Sequence, residues 1–356
     1  MKIGIDVSPI IYQTGVSRYI KNLLINLLKV DKKNNYFCLG YSLRRKNELE
    51  AFLRSLKGNF DYKVFSFPPL LGNIIWNRLH VIPVEFLVGN VDVFHSSDWT
   101  QPPTKAHKVT TVHDLIPLLY PKLTSRKTVS VHKARFKHVQ KEVDRIIVPS
   151  VQTKDDLLKF NIKSNKIFVI PEASDPIYKK STDDDINIVR KKYGISSQYL
   201  ISVGVGLRKN SERIVEAYTK LRKSNNIQMV FVGEHPKVSK SVEGVIYTGH
   251  ISDLDLCALY SGSEILVYPS LYEGFGLPIL EAFSCETAVV TSSSGSMKEI
   301  AEDAAVLVDP YDSFSIKEGI IKAINEKKDL VTKSKKVVNK YSWPDVAVKT
   351  VSVYQF

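Results

Sequence analysis

Short apolar runs alternate with helix-period stretches along most of this 356-residue sequence, and this alternation restricts its fold more than any other feature. Strand-like runs such as 2–7 and 108–113 are separated by helical patterns such as 16–29 and 121–142. Alternation of this kind predicts a parallel sheet covered by helices on both faces. A segment with two prolines and a mixed run of charges, 171–185, interrupts the alternation, which then resumes.

The interruption predicts two doubly wound α/β domains, at residues 1–175 and 176–342, with the last helix, 343–356, returning to the first domain. Hydrophobic residues make up 44% of the chain, which is enough to build the cores of both. Ligands of such sheets bind beyond the carboxyl ends of the strands. We therefore expect the functional residues directly after strands, in a central cleft that the two domains face.

Positive charge is concentrated in the first half of the chain. The net charge is +13; residues 1–175 carry 27 Lys and Arg against 15 Asp and Glu, whereas residues 176–356 carry 23 against 22. Such a field attracts nucleic acid, anionic lipid or a phosphorylated substrate. The densest part, 126–141, has a single aromatic residue for base stacking, so we expect no nucleic-acid partner. A membrane surface, a lipid-linked diphosphate and a solvated basic face are the interpretations left open.

Several features are typical of a cytoplasmic protein. The three cysteines show no metal-ligand spacing and are expected to be buried free thiols. No apolar run reaches the length of about 18 residues that a membrane span needs. The opening "MKIGIDVSP" has the pattern of a first strand rather than of a signal peptide. We expect a cytoplasmic location, with peripheral contact to the inner face of the cell membrane.

Two candidate residues follow strands in the first half of the chain. Gly15 lies in a loop before a helix predicted to start near Val16, where backbone N–H groups can hold an anion. A tight turn explains this glycine equally well. His113 follows the apolar run of "VTTVHDLIP" and can contact a substrate or stabilise charge. The alternative is a core histidine bonded to a neighbouring carbonyl.

The stretch "ISVGVGLRKN", residues 201–210, joins a strand to a helix predicted to start near Ser211. Gly204, Arg208 and Lys209 at such a turn suit a phosphate or diphosphate, because glycine admits the ligand and the cations neutralise it. The alternative is a surface Arg–Lys pair. The dinucleotide fingerprint G-x-G-x-x-G is excluded, since Lys209 occupies the position of its third glycine.

The stretch "SLYEGFGLPILEAFSCE", residues 270–286, carries two glutamates around a glycine-rich turn. Glu273 lies where a helix is predicted to start, and the helix dipole favours an anion there. Glu281 lies beside an apolar stripe, where an ionised carboxylate costs several kcal/mol unless it finds hydrogen-bond donors. The hydroxyl groups of a sugar are such donors. The alternative is an acid at a helix start together with a solvated acid.

Metal-binding patterns are weak. Asp253 and Asp255 form the D-x-D pattern of many metal-dependent transferases, but Ser252 or Asp253 is more simply a helix cap. A leaving diphosphate can be neutralised by Arg208 and Lys209 without Mg²⁺. We therefore predict no metal ion and no other cofactor.

Residues 268–310 closely resemble the signature region of family four of the retaining glycosyltransferases, two-domain enzymes of the GT-B fold. The stretch "SVGVGLRKNSERIVEAY" resembles their phosphate segment, and "TTVHDLIPLLYP" with the Gly15 loop resembles their first-domain motifs. The resemblance covers nearly the whole chain and implies two Rossmann-like domains facing a central cleft. Two departures are Glu286, where the family usually has glycine, and "VIPEASD", where many members read "IPNGVD".

The resemblance also implies a role for each site residue. Arg208 and Lys209 would bind the diphosphate of a nucleotide-sugar donor, and Glu281 its ribose. Glu273 would bind hydroxyl groups of the donor sugar, and His113 would face that sugar near the reacting carbon. Further contacts to the donor would come from Gly15, Gly274, Phe275, Gly276 and Leu277.

The implied activity is a retaining, metal-independent transfer of a sugar to a glycan or polyprenyl-diphosphate-linked acceptor that docks on the first domain. The segments "SSDWTQPP" and "VHDLIPLLYP" resemble mannosyltransferases of bacterial surface-polysaccharide and O-antigen synthesis, so GDP-mannose is the predicted donor. UDP- and ADP-linked sugars stay open. The alternatives are a non-hydrolysing sugar-nucleotide epimerase and an inactive membrane-associated scaffold.

Overall fold

The computed structural model describes residues 1–12, 14–222, 226–235 and 241–356. The chain divides into two compact units, one of Met1–Glu172 with Ser342–Phe356 and one of Ala173–Tyr341. The break after Glu172 lies within the proline- and charge-rich segment, three residues before the domain end predicted at residue 175.

A seven-stranded parallel sheet forms the centre of the first unit. Its strands, in chain order, are β1 Lys2–Asp6, β2 Asn35–Tyr41, β3 Phe60–Phe65, β4 Val93–Ser96, β5 His107–Thr111, β6 Arg145–Val148 and β7 Ile167–Val169. Their spatial order is β3-β2-β1-β4-β5-β6-β7, and every neighbouring pair is parallel. The order reverses between β1 and β4, which places the topological switch point of this sheet there.

The long helices of the first unit lie close to their predicted positions. They are Gly15–Val30, Lys46–Ser55, Arg126–Glu142 and Val151–Lys159. The third begins later than the predicted residue 121, because Pro121–Leu123 forms a separate 3₁₀ turn and Ser125 caps the helix by accepting the Thr128 N–H at 3.1 Å.

A helical segment between β3 and β4 has no counterpart in the sequence prediction. It contains Pro69–Gly72, a π-helix at Asn73–Leu79, and Glu85–Val88. Its long apolar side chains are largely exposed, with Phe86 at 79% and Leu79 at 63%. The segment therefore has no continuous buried stripe from which a helical period can be recognised.

The C-terminal segment belongs to the first unit. Its helix, Trp343–Tyr354, is capped by Ser342 and has Pro344 in its first turn, as predicted. The Tyr354 hydroxyl lies 2.8 Å from Nδ1 of His95, next to the end of β4. The guanidinium of Arg145 donates to the Val353 carbonyl at 2.9 Å.

A six-stranded parallel sheet forms the centre of the second unit. Its strands are β8 Gln198–Val203, β9 Ile227–Val232, β10 Val245–Tyr247, β11 Ile265–Tyr268, β12 Ala288–Ser292 and β13 Ala305–Val308. Their spatial order is β10-β9-β8-β11-β12-β13. Here the order reverses between β8 and β11, which are hydrogen-bonded neighbours.

The helices of the second unit follow the predicted order. They are Asp183–Lys192, Ser211–Arg222, Asp253–Gly262, Leu277–Ser284, Gly295–Ala301, Ser313–Asn325 and Lys327–Val338. The sequence pattern predicts the first of these at 186–193. It starts three residues earlier, because Thr182 caps it and three aspartates fill the first turn, where the dipole favours negative charge. The pattern predicts the second at 211–224, of which residues 223 and 224 lie outside the described residues.

Both faces of the second sheet are buried. Leu200 and Val267 belong to one apolar cluster, whereas their chain neighbours Ile201 and Leu266 belong to a second cluster on the other face. Burial on both faces explains why the strands are continuous apolar runs rather than alternating patterns. Within the described ranges, no helix has the length and apolar character that crossing a membrane requires.

Candidate active site

Two loops meet at the switch point of the second sheet. The loop after β8 carries Arg208 and Lys209, and the loop after β11 carries Glu273. Because β8 and β11 are parallel neighbours, their carboxyl ends lie at the same edge of the sheet. The loops are joined directly, since the Leu271 N–H donates to the Arg208 carbonyl at 2.9 Å. This edge is where doubly wound sheets bind their ligands.

The side chain of Glu273 holds both cations of the first loop. Lys209 Nζ donates to Glu273 Oε1 at 2.7 Å, and Arg208 Nη1 donates to Oε2. The Tyr268 hydroxyl at the end of β11 donates to the same Oε1 at 2.9 Å and accepts a hydrogen bond from Lys209. Glu273 is only 9% exposed. We call Arg208, Lys209, Tyr268 and Glu273 the charged cluster.

Burial and mutual attraction shift both titrating partners. Burial lowers the pKa of Lys209, and the nearby Arg208 adds to this, so that the pKa lies at about 8 despite the attraction of Glu273. Burial alone would raise the pKa of Glu273, but the charges of Lys209 and Arg208 lower it to about 2. Near neutral pH the cluster therefore contains two cations and one carboxylate, with one positive charge in excess.

The loop after β8 needs unusual backbone conformations. Gly204 has φ of 84°, and a Cβ atom there would lie 3.0 Å from the side chain of Lys209. Asn210 also has a positive φ, 61°, and its amide donates to the Pro269 carbonyl at 3.0 Å. Gly204 thus leaves room for the lysine, and Asn210 fastens this loop to the one after β11.

The helix Leu277–Ser284 begins directly beside the charged cluster. Gly276 precedes it with φ of 115°, a conformation that side chains rarely adopt, and Pro278 occupies its first turn as predicted. Phe275 is 7% exposed and packs in the core of the unit. Gly274 and Leu277 flank this turn, so the first-turn N–H groups of the helix follow Glu273 within a few residues.

Glu281 is buried rather than solvated. Its side chain is 3% exposed, and the Tyr260 hydroxyl donates to Oε2 at 3.2 Å. The interpretation of Glu281 as a solvated acid is therefore wrong. Its charge helps to raise the pKa of Lys209, which places Glu281 in the electrostatic neighbourhood of the charged cluster.

In the first unit, His113 forms a dyad with Glu172. His113 Nδ1 lies 2.7 Å from Glu172 Oε1, and the ring packs edge-on against Tyr19 with centroids 4.6 Å apart. The alternative of a histidine held by a carbonyl is wrong, because its partner is a carboxylate. Burial alone would lower the pKa of His113, but the charge and hydrogen bond of Glu172, together with the charges of Asp98 and Asp114, outweigh this and the pKa is raised. Nε2 is buried and has no hydrogen-bond partner among the described residues.

Gly15 is the first residue of a helix. Thr14 caps the helix Gly15–Val30 and exchanges hydrogen bonds with Ser17 in a capping box. Gly15 is exposed, and a Cβ atom added to it would meet nothing within 4 Å. The tight-turn explanation is therefore wrong, and packing within the described part of the first unit does not require a glycine here.

The D-x-D pair has structural partners. Ser252 caps the helix Asp253–Gly262 by accepting the Asp255 N–H at 3.1 Å. Asp255 Oδ2 accepts from Lys192 Nζ and from the Tyr193 hydroxyl, each at 2.6 Å. These contacts explain the pattern without a metal ion.

Two residues of these clusters were not singled out from the sequence. Glu172 occupies the position of the asparagine in "IPNGVD", so the sequence shows that this residue departs from the family pattern. The sequence does not show that Glu172 pairs with His113, which lies 59 residues earlier. Tyr268 ends an apolar strand and resembles any other strand residue. Tyr268 could have been found by listing the polar residues at the ends of predicted neighbouring strands, since these residues lie at one edge of the sheet.

Solved structures show the same fold. A sucrose-phosphate synthase from Thermosynechococcus elongatus superposes with a TM-score of 0.75 at 16% identity, covering 100% of this chain and 98% of the other. Alr3699/HepE of Anabaena, solved in complex with UDP and glucose, gives a TM-score of 0.67 at 15% identity, covering 99% and 98%. The two doubly wound units therefore define the fold of this chain as GT-B.

Two family models cover most of the chain. The model described as "Glycosyltransferase Family 4" matches residues 13–176, and "Glycosyl transferases group 1" matches residues 185–341. The chain therefore belongs to the family-four glycosyltransferases, which confirms both the resemblance and the predicted fold class. The O-antigen chain mannosyltransferase B of Escherichia coli is 26% identical over 281 residues, covering 74% of each chain.

Proposed function

We propose that this glycosyltransferase is a retaining, metal-independent enzyme that moves a sugar, best assigned as mannose from GDP-mannose, to a glycan or a polyprenyl-diphosphate-linked acceptor. The charged cluster is the observation that carries the proposal. It combines two cations, a carboxylate and an adjacent helix start at the sheet edge where a donor is expected.

The cluster suits a leaving diphosphate. Without a donor, Glu273 neutralises one of the two charges of Arg208 and Lys209. A diphosphate can replace Glu273 as the partner of both cations, because phosphate oxygens accept hydrogen bonds from the same N–H groups. As the sugar–phosphate bond breaks, negative charge grows on the diphosphate, and preorganised cations stabilise it without a metal ion.

The release of Glu273 from the cations gives it a second role in the proposal. In the free protein the neighbouring cations hold the pKa of Glu273 at about 2, so the carboxylate is ionised. An ionised carboxylate is an acceptor only, and it can bind hydroxyl groups of the donor sugar while the cations remain close by. Glu281, already held by Tyr260, is proposed to accept from the ribose hydroxyls. Backbone N–H groups near Gly274 and Leu277 are proposed to contact the sugar and the phosphates.

Two residues of the first unit are also proposed to bind the donor. The buried Nε2 of His113 lacks a partner within the described chain and can meet a hydroxyl of the sugar. Its pairing with Glu172 favours the imidazolium, which stabilises negative charge that develops on the departing group. The exposed start of the helix at Gly15 is proposed to bind the diphosphate through backbone N–H groups.

Mannose is supported by the relative from E. coli, whose name is that of an O-antigen mannosyltransferase. The identity of the nucleotide has weaker support, since the HepE complex contains UDP. An acceptor built on a lipid diphosphate agrees with the net charge of +12 over residues 1–175.

Peripheral contact with an anionic membrane is supported by one surface of the first unit. The helix Arg126–Glu142 carries exposed lysines, and its Ser130 and His138 contact Arg78 and Asn77 of the segment 69–88. That segment exposes apolar side chains, Phe86 above all. Cations beside exposed apolar residues suit a surface of anionic lipid. We call the exposed residues of 69–88 and of this helix the basic-apolar surface.

A melting screen across GDP-, UDP- and ADP-sugars tests the donor assignment. A sugar nucleotide present at 100 times its dissociation constant should add about 2.7 kcal/mol to the free energy of unfolding. GDP-mannose is expected to raise the melting temperature most, and Glu273→Gln should reduce the rise. A larger rise with a UDP-sugar would overturn the donor, and no rise with any of them would overturn the site.

A further inference from the structure

A second cluster of ionisable side chains lies in the first unit. His80, at the end of the π-helix Asn73–Leu79, meets His138 and Glu142 of the helix Arg126–Glu142. One nitrogen of each imidazole and one carboxylate oxygen all lie within 4.8 Å of one another. We propose that these residues bind a divalent transition-metal ion, with Zn²⁺ as the best fit. We call them the His–His–Glu cluster.

The outer nitrogen of each imidazole faces a backbone carbonyl. His80 Nδ1 lies 2.9 Å from the Trp76 carbonyl, and His138 Nε2 lies 3.0 Å from the Asn77 carbonyl. Carbonyl oxygens only accept, so these nitrogens carry the N–H in the neutral rings. The inner nitrogens, His80 Nε2 and His138 Nδ1, then present lone pairs to the cluster. Metal-binding histidines in proteins have this arrangement, in which an outer carbonyl fixes the tautomer.

The inner nitrogens face a third acceptor. Glu142 Oε1 lies 2.7 Å from His80 Nε2 and 3.8 Å from His138 Nδ1. It is buried and accepts no hydrogen bond from the described residues. Three acceptor atoms this close together repel one another unless a proton or a metal ion lies between them. The neighbouring cation Lys108 is 3.9 Å away and approaches the other oxygen, Oε2.

Protonation of both rings is an unfavourable way to fill this role. The two imidazoles stack, with ring centroids 3.7 Å apart, so that a charge on both rings is unfavourable. A metal ion satisfies all three acceptors without protonating either ring.

The donor set is typical of zinc. Two imidazoles and one carboxylate leave a fourth tetrahedral position for water. His138 and Glu142 are four residues apart, so they lie on the same face of their helix. All three side chains are between 19% and 23% exposed, which leaves a path for the ion. Because the rings are now nearly parallel, at 6°, binding requires the His138 ring to turn toward the shared point.

The ion would fasten the exposed segment 69–88 to the helix Arg126–Glu142. These elements form the basic-apolar surface, so the metal is expected to order that surface rather than to act in sugar transfer. The proposal does not depend on the proposed function, because it concerns other residues and its test uses no donor.

Zinc titration of chelator-treated full-length protein, followed by calorimetry, tests the proposal. One equivalent of Zn²⁺ should bind, and Co²⁺ should give the visible absorption of a tetrahedral site. His138→Gln, Glu142→Gln and His80→Asn should each weaken binding at least about 10-fold, as the loss of even an outer-shell partner does. Asparagine is chosen for residue 80 because its φ is 53° and asparagine tolerates positive φ.

The matched control is His107→Gln, which removes an exposed histidine of the same unit paired to Asp144 at 3.9 Å. It should leave the zinc affinity unchanged. Circular dichroism shows whether each variant is folded. The Co²⁺ spectrum of the unmutated protein tests the site even if a variant fails to fold. Zinc affinity that is the same in the unmutated protein and in all three single variants would refute the metal site. Absence of zinc binding, with a melting temperature that rises on acidification only when the cluster is intact, would assign a shared proton instead.

Discussion

The ammonium group of Lys209 lies 2.7 Å from a carboxylate oxygen of Glu273, at the edge of the second sheet where β8 and β11 end. The two residues belong to different loops, and Tyr268 bonds to both. The contact holds a cation and a carboxylate side by side. In the proposed function, the cation binds the diphosphate of the donor and the carboxylate binds its sugar.

Glu273→Gln should lower the transfer rate by roughly 10²-fold or more, the effect typical of a lost preorganised charge in a transition state. The substitution keeps the shape of the side chain but removes the charge that pairs with Arg208 and Lys209. Initial rates with radiolabelled donor and purified acceptor measure the change. Glu286→Gln, which removes an acid paired with Lys335 at 2.8 Å on the same unit, should retain nearly full activity. Equal rates for both variants would contradict the role of Glu273.

Donor affinity should weaken as the pH rises through about 8. The pKa of Lys209 in the free protein is about 8, and only its protonated form attracts the diphosphate. Bound diphosphate stabilises the charged form, so the pKa of Lys209 should rise in the complex. Calorimetric titrations of GDP between about pH 7 and 9.5 measure this. Lys209→Arg carries a permanent charge and should show no inflection in that range; an inflection that persists belongs to another group.

Glu172→Gln should remove a stabilisation that depends on pH. The folded-state pKa of His113 is raised by Glu172 above its unfolded value of about 6.5. The pairing therefore stabilises the fold fully below about pH 6.5, and this contribution is lost as the pH rises through the folded pKa. Urea unfolding at several pH values should show the largest difference between the two proteins at the acidic end. Glu216→Gln removes an exposed acid paired with Lys220, whose hydrogen bond lowers the pKa of Glu216. Its effect should therefore be constant above about pH 5 and decrease only in more acidic solution, the opposite of the trend expected for Glu172→Gln.

Removal of divalent ions should leave the transfer rate largely unchanged. In the proposed mechanism Arg208 and Lys209 supply the charge that a metal ion would otherwise supply. Asp253 and Asp255 are hydrogen-bonded by Tyr178, Lys192 and Tyr193. Rates measured with EDTA, well below the melting temperature, provide the test. Complete loss of activity that Mn²⁺ restores would return the D-x-D pair to the site.

Vesicles containing anionic lipid should bind the protein at low salt and release it at high salt. Changing the exposed Lys127, Lys133 and Lys137 to glutamine should weaken this binding, because these residues lie on the basic-apolar surface. Arg135 of the same helix is left intact, since it is buried against Asp98 at 2.8 Å. Co-sedimentation measures the bound fraction.

The control for vesicle binding removes the same charge from the other unit, by changing Lys298, Lys328 and Lys336 to glutamine. It should bind vesicles as the unmutated protein does. Equal loss in both triple variants would show that net charge, and not the basic-apolar surface, attracts the lipid. Binding that ignores lipid charge altogether would exclude the electrostatic contact.

Local patterns were sufficient for most of the architecture. Strands such as β8 and β11 are short apolar runs buried on both faces, and helix starts are marked by Ser252 and Pro344. The segment 69–88 could not be predicted in this way. Many of its apolar residues, such as Leu79 and Phe86, face outward, and helical periodicity is recognisable only where one continuous face is buried.

The order of residues along the chain was enough to specify two α/β domains, the excess of positive charge in the first half, and the charged residues that follow strands. It could not specify which of these side chains meet. Lys209 and Glu273 are 64 residues apart, and His113 and Glu172 are 59 apart. Their contacts depend on the spatial order of the strands, because β11 pairs with β8 rather than with the strand that precedes it in the chain. Burial then shifts the pKa values of the paired groups, and burial exists only once both sheets are packed.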